Sequence, residues 1–134
     1  MSIYSTFSTD KAKEEEGIWL DYGEDGSIHV SRAGGSNKKF AKMLELRARP
    51  YKRRIDKGTF EEDVANQLMI EVFADTIILG WKDIKDKDGN EMEYTRDNVI
   101  KLFLDLPELF ADVSEQATAM GNFRFDEVEE ASKN

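Results

Sequence analysis

The sequence predicts a single α+β domain, mainly α-helical, with short antiparallel β-hairpins near the N-terminus and in mid-chain. Three observations carry that expectation. Two short segments alternate apolar and polar residues around Asp25-Gly26. Three longer segments repeat apolar residues at three- and four-residue spacing. Gly and Pro punctuate the chain between them. The length of 134 residues suits one domain, and 40% apolar residues with eight Phe and two Trp suffice for one core.

Ser8-Thr9-Asp10 begins the charged stretch Lys11 to Glu16, which Gly17 stops; Ser or Thr can cap a first helical turn, so one or two turns are expected there. Residues 1–16 as a whole read as a flexible N-terminal arm. Ile18, Leu20 and Tyr22 then share one strand face, and Ile28 and Val30 share another. Between them Asp25-Gly26 supplies a residue that tolerates positive φ, which is a hairpin signal. Ala33 to Asn37 reads as a loop leading to a helix cap. From Lys38 to Lys57, Phe40, Met43, Leu44, Ala48, Tyr51 and Ile55 form a helical stripe. Pro50 lacks an N–H and crowds the carbonyl of Leu46, so the helix should break there.

Thr59-Phe-Glu-Glu62 reads as a capping box for a helix over 60–78. Val64, Leu68 and Val72 form one stripe of that helix, and Ala65, Met69, Phe73 and Ile77 the stripe beside it. Two adjoining stripes place it at the centre of the fold. A second hairpin is expected from Trp81–Ile84 and Glu91–Tyr94 around Lys87-Asp-Gly-Asn90. Thr95 caps the next helix, with Asp97 set against the N-terminal dipole and Val99, Ile100, Phe103 and Leu104 inward. Leu106-Pro107 ends it and starts another, because proline is tolerated in a first helical turn. Leu109, Phe110, Val113, Ala117 and Met120 continue the apolar stripe, and residues 122–134 form a Glu-rich tail expected to be flexible.

Composition narrows the function classes. Cysteine is absent, which removes disulfides, thiolate metal sites and thiol catalysis. The first residues lack the basic start and apolar run of a secretory signal, and the run Ile77-Ile-Leu79 is far too short to span a bilayer. A soluble protein without a membrane partner is therefore expected. The net charge of −9 repels phosphate backbones and argues against general nucleic-acid binding. That charge is uneven: between Lys38 and Lys57, nine Lys or Arg face two acids.

No catalytic constellation emerges. His29 is the one histidine and lies opposite the Ile28 and Val30 face, with no nucleophile or orienting partner announced nearby. An EF-hand with its glycine at Gly89 would begin at Ile84 and need its bidentate acid at Thr95, so Asp86 to Asn90 reads as a turn. Gly34-Gly35 precedes a helix, but neither GxxxxGK[ST] nor GxGxxG occurs. Trp19 and Trp81 read as core or hairpin residues. The expectation is a protein that is not an enzyme and uses no cofactor.

Three segments read in order resemble a tail assembly chaperone family of long-tailed bacteriophages and prophages. The first joins Gly17-Ile-Trp-Leu-Asp-Tyr22 and Ile28 to Phe40 with Arg49-Pro-Tyr-Lys-Arg-Arg54. The second is Ile77-Ile-Leu-Gly-Trp-Lys-Asp-Ile84 with the turn Asp86 to Asn90. The third runs from Tyr94-Thr-Arg-Asp-Asn-Val-Ile-Lys-Leu-Phe103 into Asp105-Leu-Pro-Glu-Leu-Phe110. The resemblance implies a protein of the host bacterial cytoplasm, not retained in the mature virion. It implies that the partners are the tape measure protein, which it keeps soluble, and the tail tube protein, whose subunits it recruits. It leaves room for a homo-oligomer. Family members are often made in a second, longer form by a minus-one ribosomal frameshift, and Lys133-Asn134 is compatible with the codons AAA-AAC of a slippery site. Candidate partner-binding residues are the basic Lys52, Arg53 and Arg54, and the apolar Leu106, Leu109 and Phe110. Two alternatives are a structural tail or head–tail connector component retained in the virion, and an RNA-binding regulator using the basic helix.

Overall fold

A computed structural model describes residues 2–125. The domain is α+β, with a three-stranded antiparallel sheet covered on one face by helices. The strands are β1 (Ile18–Asp21), β2 (Ser27–Val30) and β3 (Ile78–Lys82), in the order β1-β2-β3. The helices are α1 (Ile3–Phe7), α2 (Lys11–Glu16), α3 (Lys39–Ala48), α4 (Lys52–Asp56), α5 (Glu62–Thr76), α6 (Arg96–Asp105) and α7 (Pro107–Thr118).

The first hairpin forms as its alternation requires. Leu20 pairs with Ile28, and both side chains are buried on the helical side. Trp19 pairs with His29 on the other side, where their rings stack with centroids 4.7 Å apart. The turn between them is a short 3₁₀ segment, Gly23–Asp25. Gly26 follows it at φ 107°, where a Cβ would lie 2.6 Å from the carbonyl oxygen of Lys82, so only glycine lets the turn close on β3.

Mid-chain pairing differs from the expectation. Ile78–Lys82 does not form a hairpin with 91–94 but joins β2, with Ile28 opposite Trp81 and His29 opposite Gly80. Burial explains the choice: Ile77 and Ile78 reach the core only if this strand lies in the sheet. The expected turn still closes, through the N–H of Asp86 donating to Asn90 O and a lone bridge between Lys85 and Glu91. Residues 91–94 fold over the strand instead, where the Trp81 indole donates to Met92 O and the Tyr94 hydroxyl to Ile78 O.

The helical layer is built around α5, whose Ile70, Val72, Phe73 and Ala74 are buried. Phe40 of α3 and Phe110 of α7 both meet the ring of Phe73 edge-on, at 5.3 and 5.2 Å. Asp75 adds a polar tie, pairing with Arg47 of α3 and Arg96 of α6. Pro50 breaks α3 as expected, and the chain passes through a 3₁₀ turn at Arg49–Tyr51 into α4. That turn shifts the helical phase, which leaves Ile55 44% exposed rather than on the buried stripe. The capping box at Thr59 does not form. Helix α5 begins after Glu61, which makes no side-chain cap bond, and the Thr59 hydroxyl donates to Arg54 O.

Within the expected N-terminal arm, the described residues form α1 and α2. Asp10 caps α2 by accepting from the N–H groups of Ala12 and Lys13. Helix α2 is fastened to the rest of the domain: the Asp10 N–H donates to Phe123 O, and the Arg32 N–H to Glu14 O. The first part of the expected tail is fastened by the same contact. Phe123 is fully buried in the 3₁₀ turn Met120–Phe123, beneath the Arg32 guanidinium. The remainder of that tail, 126–134, lies outside the described residues.

Candidate partner-binding groove

An apolar groove lies where the β1–β2 turn, the exit of β3 and the α6–α7 junction meet. Two adjoining hollows, of about 340 and 450 Å³, share Lys85, Leu102 and Leu106. Their floor is apolar: Ile28, Ile84, Leu102 and Met92, with Leu106 and Leu109 on the wall. Their rim is charged: Glu24, Asp25 and Asp83 with Lys85 around the first hollow, and Asp86, Asp88 and Asp105 with Lys85, Lys87 and Lys101 around the second.

Each element contributes for a local reason. Val99, Leu102, Phe103 and Leu106 fall at i, i+3, i+4 and i+7, one face of a helix. The first three are buried in α6. Pro107 cannot continue the hydrogen-bonded ladder, so the chain turns at Leu106 and starts α7. Leu106 completes the stripe just as the helix ends and is left 49% exposed at the groove wall. The same periodicity corrects the inner face of α6: Leu102 is buried, while Leu104, expected inside, is 46% exposed.

The opposite wall is held by the sheet. Asp83 leaves β3 at φ 59°, the sole non-glycine among the described residues in the left-handed region. That conformation costs on the order of 1 kcal/mol and turns the chain out of the sheet beside the hollow. The Tyr22 hydroxyl donates to Asp112 Oδ2 at 2.6 Å, tying the end of β1 to α7. Burial, with the adjacent Asp112 carboxylate, pushes the Tyr22 phenol well above its ordinary range. Across the second hollow, Lys101 Nζ pairs with Asp105 Oδ2 at 2.9 Å, and this bond holds the Asp105 carboxyl below its usual value.

The six sequence-predicted residues do not form one site. Leu106 and Leu109 line the first hollow. Phe110 does not: it is buried in the core against Phe73 and Phe103, because the first turn of α7 points it inward. Lys52, Arg53 and Arg54 are exposed on α4 and line no part of the groove. Beside them Ile55, Ala48 and Lys52 line a separate shallow hollow. Among the groove residues that sequence reasoning missed are Glu24, Asp25, Asp83, Ile84 and Lys85. They lie in turns or at a strand end, where no periodicity marks them. His29 is committed to a structural bond, its Nε2 2.8 Å from Glu16 O. Among the described residues, no group of three His, Asp or Glu side chains converges as metal ligands would. No helix among them is long and apolar enough to cross a membrane.

A family model described as YdaY prophage protein matches residues 35–134, which is 100 of the 134 positions. The chain belongs to this prophage protein family. The matched part of this YdaY-family chain starts at Gly35, just before α3, and includes β3, α6, α7 and the α6–α7 junction. The β1–β2 hairpin, which supplies Tyr22, Glu24, Asp25 and Ile28 to the groove, precedes it. No curated protein and no solved structure is significantly similar to the chain.

Proposed function

We propose that this prophage protein is a tail assembly chaperone, a non-catalytic factor that binds the tape measure protein and keeps it soluble. In this reading it also helps to recruit tail tube subunits, acts in the host cytoplasm and is left out of the finished particle. Membership of a prophage family and the three resembling segments support the reading. The observation that carries it is the groove itself: an apolar floor running outward to the exposed Leu106, on a scaffold stitched by buried aromatics. A surface that shields a client's apolar side chains needs such a wall and no reacting groups.

Co-expression tests it. The protein is produced together with the tape measure protein of the same prophage, and soluble tape measure protein is measured by sedimentation. The expected result is a soluble complex with the wild-type protein and aggregated tape measure protein without it. Equal solubility with and without the protein would overturn the reading. So would mass spectrometry of purified particles that finds the protein as a stoichiometric component.

A further inference from the structure

We propose that the groove takes the apolar face of an amphipathic helix flanked by Lys or Arg, with a basic residue seated at the Glu24, Asp25 and Asp83 end. The inference rests on the chaperone reading for its biological setting, but its observations are independent of it. The first concerns shape. Two apolar hollows separated by Leu102 and Leu106 suit two side chains from successive turns of one helix, the i and i+3 or i+4 anchors of helix-in-groove binding. An extended segment would need backbone partners, and the groove offers few. Strand β2, which carries Ile28, is paired on both edges, and Ile84 O already accepts from the Met92 N–H.

The second observation is charge. At the far end the carboxylates Asp86, Asp88 and Asp105 share their hollow with Lys85, Lys87 and Lys101; Asp105 pairs with Lys101, and Asp86 Oδ1 accepts the N–H groups of Asp88 and Asn90. At the near end Glu24, Asp25 and Asp83 are exposed and take part in no ion pair among the described residues, with Lys85 as the one cation lining that hollow. An apolar cleft with unspent carboxylates at one end favours a cationic flank and repels an acidic one. The chain's own segment 126–134 carries Asp126, Glu127, Glu129 and Glu130 against Lys133, the wrong sign for this rim.

The test uses the full chain and two fluorescent synthetic peptides that share one leucine face, one with lysine flanks and one with glutamate flanks. Fluorescence anisotropy should show the lysine peptide binding at least about tenfold more tightly, with the preference shrinking as salt rises. Leu106→Asp should weaken binding of the lysine peptide about tenfold or more, and the double variant Glu24→Lys, Asp25→Lys should abolish the preference. The double variant Arg53→Glu, Arg54→Glu on α4 should change neither. Circular dichroism confirms that each variant is folded. Equal affinity for the two peptides, binding of neither, or insensitivity to Leu106→Asp overturns the proposal. An oligomer of the wild type that Leu106→Asp dissolves would assign the groove to a second copy, and also overturns it. The two readings fail separately. Tape measure protein that stays soluble with the Leu106→Asp variant sinks the groove and spares the chaperone; loss of rescue by a wild type that still selects the lysine peptide does the reverse.

Discussion

Glu14 is fully buried yet accepts from Thr9 Oγ1 at 2.5 Å, the Ser36 N–H at 2.9 Å and Arg32 Nη1 at 3.2 Å. Burial opposes its ionisation, but these donors and the Arg32 charge outweigh burial and hold the carboxyl below its ordinary value. A carboxyl whose folded value is depressed stabilises the protein at pH above its unfolded value, and that contribution drains away as pH falls through the folded one. Glu14→Gln keeps the shape and removes the charge, so it should cost about 2–3 kcal/mol at neutral pH in urea unfolding. The gap to wild type should narrow once the pH drops below 4.5, the ordinary value for this side chain; a gap that stays constant to lower pH would contradict the assignment. Gly26 makes a second prediction at this scale. Gly26→Ala places a Cβ against Lys82 O at a positive φ, and should destabilise by more than about 1 kcal/mol in the same measurement. Asp25-Gly26 was readable as a turn from sequence. The need for Glu14 was not, because nothing local to Lys11–Glu16 announces that its partners come from Thr9, Arg32 and Ser36.

At the scale of elements, the α6–α7 junction separates what holds the fold from what faces outward. Phe110 lies among Phe73 and Phe103 in the core, so Phe110→Ala should cost about 3–5 kcal/mol. Leu106, one residue before Pro107 and half exposed, should tolerate Asp within about 0.5–1 kcal/mol. Thermal or urea unfolding of both variants checks the contrast, and similar losses would mean that Leu106 is a core residue after all. Elements whose causes are local were legible: Thr95 caps its helix, Pro50 breaks one, and Pro107 starts another, while the cap of α2 falls on Asp10 rather than on Ser8 or Thr9. What escaped depends on distance or phase. Strand β3 pairs with β2 across some fifty intervening positions, and no local signal distinguishes that from the adjacent hairpin. The 3₁₀ turn at Arg49–Tyr51 moves Ile55 off the buried stripe, and Leu102 and Leu104, two residues apart, fall on opposite sides of α6. Only the leucine wall of the candidate site was legible, for the same reason: Leu106 and Leu109 follow a readable helical period, whereas Glu24, Asp25 and Asp83 sit where the chain turns.

For the molecule as a whole, the family match and the fold divide the chain differently. The match begins at Gly35, yet the sheet that supports the matched helices depends on residues before it. Strand β3 has no other strand partner than β2 among the described residues, and Ile28 and Val30 of β2 are fully buried in the same core as Phe73, Val99 and Phe103. Arg32 and α2 add the anchor for Phe123 near the other end of the described chain. A chain starting at Gly35 would keep five helices but leave Ile78 and Trp81 on a lone strand, with its backbone groups unpaired and one wall of the core missing. Such a chain should show no cooperative unfolding transition and should aggregate, because the exposed strand and the opened core both offer surface for association. Adding the separately synthesised segment 1–34 should restore a folded near-ultraviolet circular dichroism signal only in part, since joining two chains carries an association cost that one chain avoids. A Gly35–Asn134 chain that unfolds cooperatively with the wild-type near-ultraviolet signal would show instead that β1 and β2 are an appendage. The groove would then lose Tyr22, Glu24, Asp25 and Ile28 without losing the fold, and its selectivity for a basic helix could be measured with and without them.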